Sequence, residues 1–593
     1  MTAFALHRPP TRRPGPAPSA PGLGASGPGR MSGLRRVAAD PTLRVDGRLI
    51  RTWAEHAGVC VRPLLRQVTD VETGDTTRVA IPCKSTRKQV GPPCATRARK
   101  VRQQQCREGW HRDDEPDPDL NESVADKSPA GDQEPQDDVE PPGGNTNRRV
   151  RSTRRREDVS DLPRVPQEDR TIGRTFTGHG GQVYRPSMFV TVTLPSYGRI
   201  TPGTGTPIDR HTYDYRRAAL DAIHLPRLFA RWVQNLRRCA GYNAQYFAAI
   251  EPQQRLAPHV HVAIRGAIPR QVLREVTMAT YVQVWWPAFD QVVYDEKTTG
   301  TPGWCDGAYR DPQTGMPLPT WEQAMDDLDA HLEANPAQPA AHTMRFGAQA
   351  DVKGILGTSV DANRTIRYLT KYLTKSLADT FTPEDPDDLA TDHVGQPEEW
   401  DARSARQRAR AAARRAAYEA HVDRLHEEVR WQPCSPECAN WLRYGVQPKD
   451  CLPGFEPGQC EKRAHERDNL GYGGRRVQVS KQWSGKTLAE HRADRATVVR
   501  ETLLAAGIEA PEVDRMGVYQ LLDDGTPRFT WEDVPMSEAD YAGAILAAVQ
   551  ERNRWRAQYE SAKQLTATTG PGGTGPPRGA VDIRQSNHPG RAA

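Results

Sequence analysis

Two short segments of this 593-residue chain hold residue types that can do chemistry together. In Pro258-His259-Val260-His261-Val262, two imidazoles stand one residue apart in what reads as a strand. Side chains alternate along a strand, so both rings lie on one face, where two neutral imidazoles can hold one divalent metal ion. Roughly a hundred residues later, Tyr368-Leu369-Thr370-Lys371-Tyr372-Leu373-Thr374-Lys375 reads as a helix. Tyr368 and Tyr372, at i and i+4, share one of its faces, with Lys371 and Lys375 beside them. Paired phenols as nucleophiles near a metal point to phosphoryl transfer on a nucleic acid. Taken singly, an H-x-H on a strand and a helical tyrosine pair are more often structural; their joint occurrence carries the reading.

The surrounding pattern supplies elements to position these groups. Met188 to Leu194 alternates β-branched and apolar residues up to Pro195 and predicts a strand. Tyr213 to Cys239 repeats apolar residues at helical spacing, with a break or kink expected at Pro226. Tyr246–Glu251 and His259–Arg265 read as two strands joined by the polar turn Pro252–Leu256. That turn would pair Glu251 beside the histidines, as a third ligand. Helix is expected over Gln271–Trp285, strand over Phe346–Ile355 and the tyrosine helix over Arg364–Leu377. The order implies an α+β fold, a central antiparallel sheet with flanking helices packed on one side.

These motifs resemble, in order and character, those of HUH endonucleases, the rolling-circle initiators and relaxases: Val190 to Leu194, Glu251 with His259 and His261, then Tyr368 with Tyr372. The flanking text is similar to RepSA-type initiators of actinobacterial plasmids and integrative conjugative elements. It comprises Glu251-Pro252-Gln253 through Gly266, Arg367 to Lys375, and Cys438-Ala439-Asn440-Trp441 through Lys449. The resemblance spans Cys60 to about Arg495. It implies a site-specific endonuclease and strand transferase acting on origin DNA. Mg2+ or Mn2+ would be held by His259, His261 and Glu251. Attack by Tyr372 first, with Tyr368 alternating, would leave a 5′-phosphotyrosine and a 3′-hydroxyl primer for a host polymerase, with a host helicase as further partner. Lys371 and Lys375 would neutralise phosphate or lower a tyrosine pKa. A conjugative relaxase or transposase would use the same chemistry, and a DNA-binding regulator would keep the fold without cleavage.

Composition is consistent with a polyanionic partner. Asp113 to Glu140 holds 12 acidic residues against one Lys, so the remainder carries about +17 of charge although the whole chain is only +6. No apolar run is long enough for a membrane span and mean hydropathy is −0.74. With no secretory signal and ten cysteines spread over a long chain, reduced thiols and a cytoplasmic location are expected. The segments read as a disordered leader (1–50), a Cys-rich module (51–111), an acidic then Arg-rich disordered linker (112–170) and the catalytic domain (171–385). A charged helical connector (386–432), a Cys-rich basic module (433–500) and a helical region with a disordered tail (501–593) follow.

Cys434, Cys438, Cys451 and Cys460, spaced C-x3-C-x12-C-x8-C among prolines and glycines, can close a structural Zn2+ site, with His465 a spare ligand. Otherwise they are ordinary buried thiols. Cys60, Cys83, Cys94 and Cys106 form a second set, whose role the spacing leaves open. Trp483-Ser484-Gly485-Lys486-Thr487 superficially looks like a phosphate loop, but Ser480 stands where its first glycine is required, so a DNA-contacting basic turn is expected instead.

Overall fold

In the computed structural model the described residues are 47–112, 161–371 apart from a few positions, 373, 377–378, 401–505 and 521–568. Residues 1–46 of the expected leader, the acidic stretch and the C-terminal tail lie outside them, as do Tyr372 and Lys375, whereas residues 47–50, also expected as disordered leader, open a helix. The chain divides into two compact units, one of residues 1–83 with 492–593 and one of residues 84–491.

The first unit joins the two ends of the sequence. Strand Leu64–Asp70 pairs antiparallel with Thr76–Ile81 on one side and Phe529–Asp533 on the other. Arg528 donates two hydrogen bonds to the Asp70 carboxylate, at 3.1 and 2.9 Å. Ile50 and Ala54 of helix Gly47–Ala57 pack with Ile545 and Val549 of helix Glu538–Thr568. Local periodicity contains no hint of a strand pair more than 450 residues apart in sequence.

The second unit is built on a five-stranded antiparallel sheet. Its labelled elements are α1 (Pro92–Trp110), β1 (Pro186–Thr193), α2 (Tyr215–Ala240), β2 (Tyr246–Pro252), β3 (Pro258–Arg265), β4 (Ala350–Leu356), α3 (Val360–Leu369), α4 (Asp401–Trp431) and β5 (Val477–Val479). The strand order is β4-β1-β3-β2-β5. Every residue of β2 and β3 is buried, which one covered face could not achieve. Helices in fact cover both faces, correcting the expectation of helices on one side.

The alternation of the strands assigns residues to the two faces. Val190, Val192, Ile250, Val260, Val262 and Ile264 face α2 and the apolar stripe of α4, where Tyr418, Val422, Leu425 and Val429 lie. Phe189, Phe247, Ala249 and Ala263 face the opposite way, onto Cys106 and Trp110 of α1, Ile366 and Leu369 of α3, and Trp483. The histidines share the parity of Ala263 and so lie on this second face. Helix α1, which sequence alone placed in an N-terminal module, therefore forms part of the second unit's core. Trp483 is fully buried against this second face, while Gly485 and Lys486 of the same segment are exposed.

Helix ends follow local chemistry. Asp214 caps α2 by accepting from the Arg217 amide at 2.9 Å, and Gly241 closes it with φ at 72°, a conformation open to glycine at little cost. Pro226 sits inside α2 without ending it. The end of the expected linker is folded, not disordered: the Glu168 amide donates to Gly241 O and Arg170 lies over the Tyr242 ring. Residues 270–284 split into helix Arg270–Ala279 and strand Tyr281–Val284 instead of one helix.

Candidate functional site

The site forms where three strands and one helix meet. In the β2–β3 hairpin Glu251 lies directly opposite His259, and in the β1–β3 pair Thr191 lies opposite His261. The hairpin turn is tight: the Gln253 amide donates to Ala257 O, the Leu256 amide to Gln253 O, and Leu256 takes φ 63°. Arg255 pins this turn to the end of β1, donating to Pro195 O at 3.0 Å and Leu194 O at 2.7 Å. Register thus brings together Glu251, His259 and His261, whose ligand atoms all lie within 4.8 Å of one another.

The two Nε2 atoms of His259 and His261 are 2.7 Å apart, and Glu251 Oε2 is 3.8 Å from His261 Nε2. His261 Nδ1 meets Thr191 Oγ1 at 2.8 Å. That spacing suits either one shared proton or, with hydrogen on both Nδ1 atoms, two lone pairs converging on one ion. Glu251 Oε1 and His259 Nδ1 are buried without a hydrogen-bond partner. Burial lowers His259 to about 4 and His261 to about 3, so both rings are neutral near pH 7. Burial raises the Glu251 carboxyl to about 7, opposed by the positive charges of Arg476 and Lys371. A carboxyl held up by desolvation, two neutral imidazoles and unmatched buried polar atoms fit a divalent cation as the missing partner.

Tyr368 comes from α3 across the same face. Its hydroxyl is 3.2 Å from His261 Nε2, while Phe189 stacks on His261 at 5.7 Å and meets Tyr368 edge-on at 6.1 Å. Ser359 caps α3 by accepting from the Ala362 amide. The helix ends at Leu369, before the expected Leu377; at its C-cap Thr370 donates both its amide, at 3.2 Å, and its hydroxyl, at 2.8 Å, to Ile366 O. Gln103 of α1 donates to that same hydroxyl at 3.0 Å, fixing the end of the tyrosine helix to its neighbour. Lys371 follows in an exposed turn. An open groove of about 640 Å³ reaches His259, with Thr193, Ser196, Gln253, Arg255 and Gln349 among its lining.

Several contributors escaped the sequence reading. Thr191 could have been found by extending the β1–β3 pairing, since it is a polar residue in an otherwise apolar strand. Arg476 had no such signal. It enters beside Glu251 because its carbonyl accepts from the Ile250 amide at 2.8 Å as β5 joins the sheet edge.

A second cluster lies in the same unit. Cys434, Cys438, Cys460 and His465 bring one ligand atom each to within 4.8 Å of one another. Cys451, expected as a ligand, lies elsewhere: it packs near Tyr309, Leu442 and Phe455, with its thiol toward Gln447. The turn geometry of residues 460–465 delivers the spare histidine instead. Of the N-terminal cysteines, Cys60 accepts from the Cys83 amide at 3.2 Å in the first unit, whereas Cys106 is buried in the apolar core of the second.

No curated protein and no solved structure matches the chain. A family profile does, over residues 47–540, which takes in both units and every site residue named above. Its description is replication initiator protein, pSAM2, and because it covers most of the sequence the chain belongs to this RepSA family of plasmid replication initiators.

Proposed function

We propose that this initiator opens replication by nicking one DNA strand at its origin through tyrosine attack, as HUH endonucleases do. The observation that carries the reading is the Tyr368 hydroxyl, 3.2 Å from His261 Nε2 in a three-ligand cluster reached by an open groove. Glu251, His259 and His261 would hold a hard divalent ion, Mg2+ or Mn2+. Bound there, such an ion supplies Lewis acidity toward a phosphodiester oxygen.

The chain's own residues do the rest. Tyr368 forms the new O–P bond as the P–O3′ bond breaks. The phenol's proton ends on solvent or the leaving oxygen, giving a 5′-phosphotyrosine and a free 3′-hydroxyl. Phe189 and the Gln103–Thr370 contact hold the phenol in place, so little rotational freedom is lost at attack. Lys371, whose charge is felt at Glu251, lies near enough to favour phosphate in the groove. Tyr372 and Lys375 supply the second nucleophile and its cation, so that the regenerated origin is cut again and a circle closed without hydrolysis. The 3′ end primes rolling-circle synthesis by a cytoplasmic host polymerase and helicase.

The test is incubation of the full chain with a single-stranded oligonucleotide spanning its origin and Mn2+. A denaturation-resistant adduct carrying the 5′-phosphate should map to Tyr368 or Tyr372 and vanish in the Tyr368→Phe, Tyr372→Phe double variant. Binding with no adduct would identify a regulator, and nicking with no adduct would assign the attack to water.

A further inference from the structure

The thiol cluster has the donor set and shape of a closed metal site. Cys434 and Cys438 stand on the turn that follows α4, where the Cys438 amide donates to Ser435 O at 3.1 Å. Cys460 and His465 stand on a second turn, where the His465 amide donates to Lys462 O at 2.9 Å. Four donors from two such turns are what a tetrahedral ion needs. With metal–sulfur bonds of about 2.3 Å, the edge between two sulfurs is about 3.8 Å. The observed cluster, with every ligand atom within 4.8 Å and Cys438 Sγ 3.5 Å from His465 Nε2, needs little contraction to reach it.

The histidine is already oriented for this task. Its Nδ1 faces Val429 O at 2.9 Å. A carbonyl only accepts, so Nδ1 carries a hydrogen and Nε2 is the ring nitrogen turned toward the sulfurs, free to ligate once it has no proton. Around the cluster, Lys462 Nζ donates to Ser435 Oγ and Glu437 Oε2, both at 2.6 Å, placing a cation beside thiols that would bind as thiolates. Asn440 ties the two turns from within. Its side-chain amide donates to Arg430 O and Gln432 O, and its oxygen accepts from the Gly458 amide at 2.7 Å.

We propose that Cys434, Cys438, Cys460 and His465 bind one structural Zn2+ ion. It clamps the end of α4 to the segment that runs on to Arg476 and β5. Soft thiolates with one imidazole and no open position select zinc over the hard ions suited to the nicking site. The clamp matters there because the clamped segment carries Arg476 to its place beside Glu251. Arg467 within it pairs with Glu419 and Asp423 along α4, and Leu470 and Tyr472 sit in the core, so the ion would fix the turn just ahead of these anchors.

Metal content of the purified full chain tests this, with Cys451→Ser as the control. Cys438→Ser and His465→Ala should each lose about one zinc equivalent relative to the parent, and Cys451→Ser none. Because Cys438→Ser could fail to fold, the parent chain is also read by zinc-edge X-ray absorption, which should include a site with three sulfur neighbours and one nitrogen. His465→Ala retaining the parent's zinc while Cys451→Ser loses it would replace the proposal by a four-cysteine site. A parent chain without zinc would overturn it outright.

Discussion

The two ligand clusters of the second unit solve opposite problems. Glu251, His259 and His261 sit on rigid, fully buried strands, supply three donors, and leave a side facing a groove. Cys434, Cys438, Cys460 and His465 sit on irregular turns and supply four. A sheet can hold ligands in place without an ion, so it can keep a coordination position for substrate. Turns hold theirs less firmly and use every position on the chain itself. The difference teaches that an incomplete ligand set on a stiff support marks chemistry, whereas a complete set on a soft support marks structure.

The sharpest way to break this contrast is to remove ligands from one cluster and watch the other. His259→Ala with His261→Ala should lower Mn2+-dependent nicking on the order of 10³-fold or more, since several kcal/mol of charge stabilisation are lost. DNA binding, dominated by phosphate contacts elsewhere, should largely survive, and zinc content should not change. Nicking that persists at the parental rate would remove the metal from the mechanism.

A smaller effect is expected one bond further out. Thr191→Val removes the partner of His261 Nδ1 and should weaken Mn2+ binding by about 10–100-fold, the usual loss when a ligand's supporting hydrogen bond goes. Unchanged affinity by titration calorimetry would mean that packing against Phe189 alone orients the ring.

Acidity gives the next. Burial raises Glu251 from 4.5 to about 7, so the native site keeps a proton that the unfolded chain has already lost across that window. Taken alone, this carboxyl would make the protein lose stability as pH rises from about 4.5 through about 7. His259 and His261, lowered from 6.5 to about 4 and about 3, contribute the opposite and larger change, so metal-free protein should gain stability as pH rises from about 4 to about 6.5. Mn2+ affinity should climb as the ion takes the ionised carboxyl. Arg476→Met should move this climb to higher pH, since Arg476 is the leading charge holding the carboxyl down. A pH profile shared by parent and variant would disconnect Arg476 from the site.

The smallest effect separates scaffold from chemistry. A Cβ on Gly109 of α1 would lie 2.2 Å from Trp483 Cδ1, so Gly109→Ala should cost about 1–3 kcal/mol of stability through overpacking. Denaturant unfolding that matched the parent would show that α1 shifts freely on the sheet.

Much of this site was legible because its parts are local. Strand parity alone put His259 and His261 on one face, and a turn too short for anything but a hairpin put Glu251 beside them. The antiparallel character of the sheet followed from the same run of strands. What depended on distant contacts was not legible. Periodicity carried the tyrosine helix on to Leu377, but it ends at Leu369, where Thr370 meets Gln103 of α1. Spacing favoured Cys451 as a zinc ligand, yet the fold turns it toward Gln447 and brings His465 to the sulfurs.

The sequence by itself thus determined the chemistry-bearing residue types, the elements that carry them and the hairpin register, all of which rest on backbone geometry over a few residues. Only the tertiary structure decided that α1 and Trp483 close the second face of the sheet, that Arg476 stands beside Glu251, and that residues 64–70 and 529–533 share a sheet. Those pairings join residues remote along the chain, and their free energy comes from buried area and matched polar groups that no local window contains.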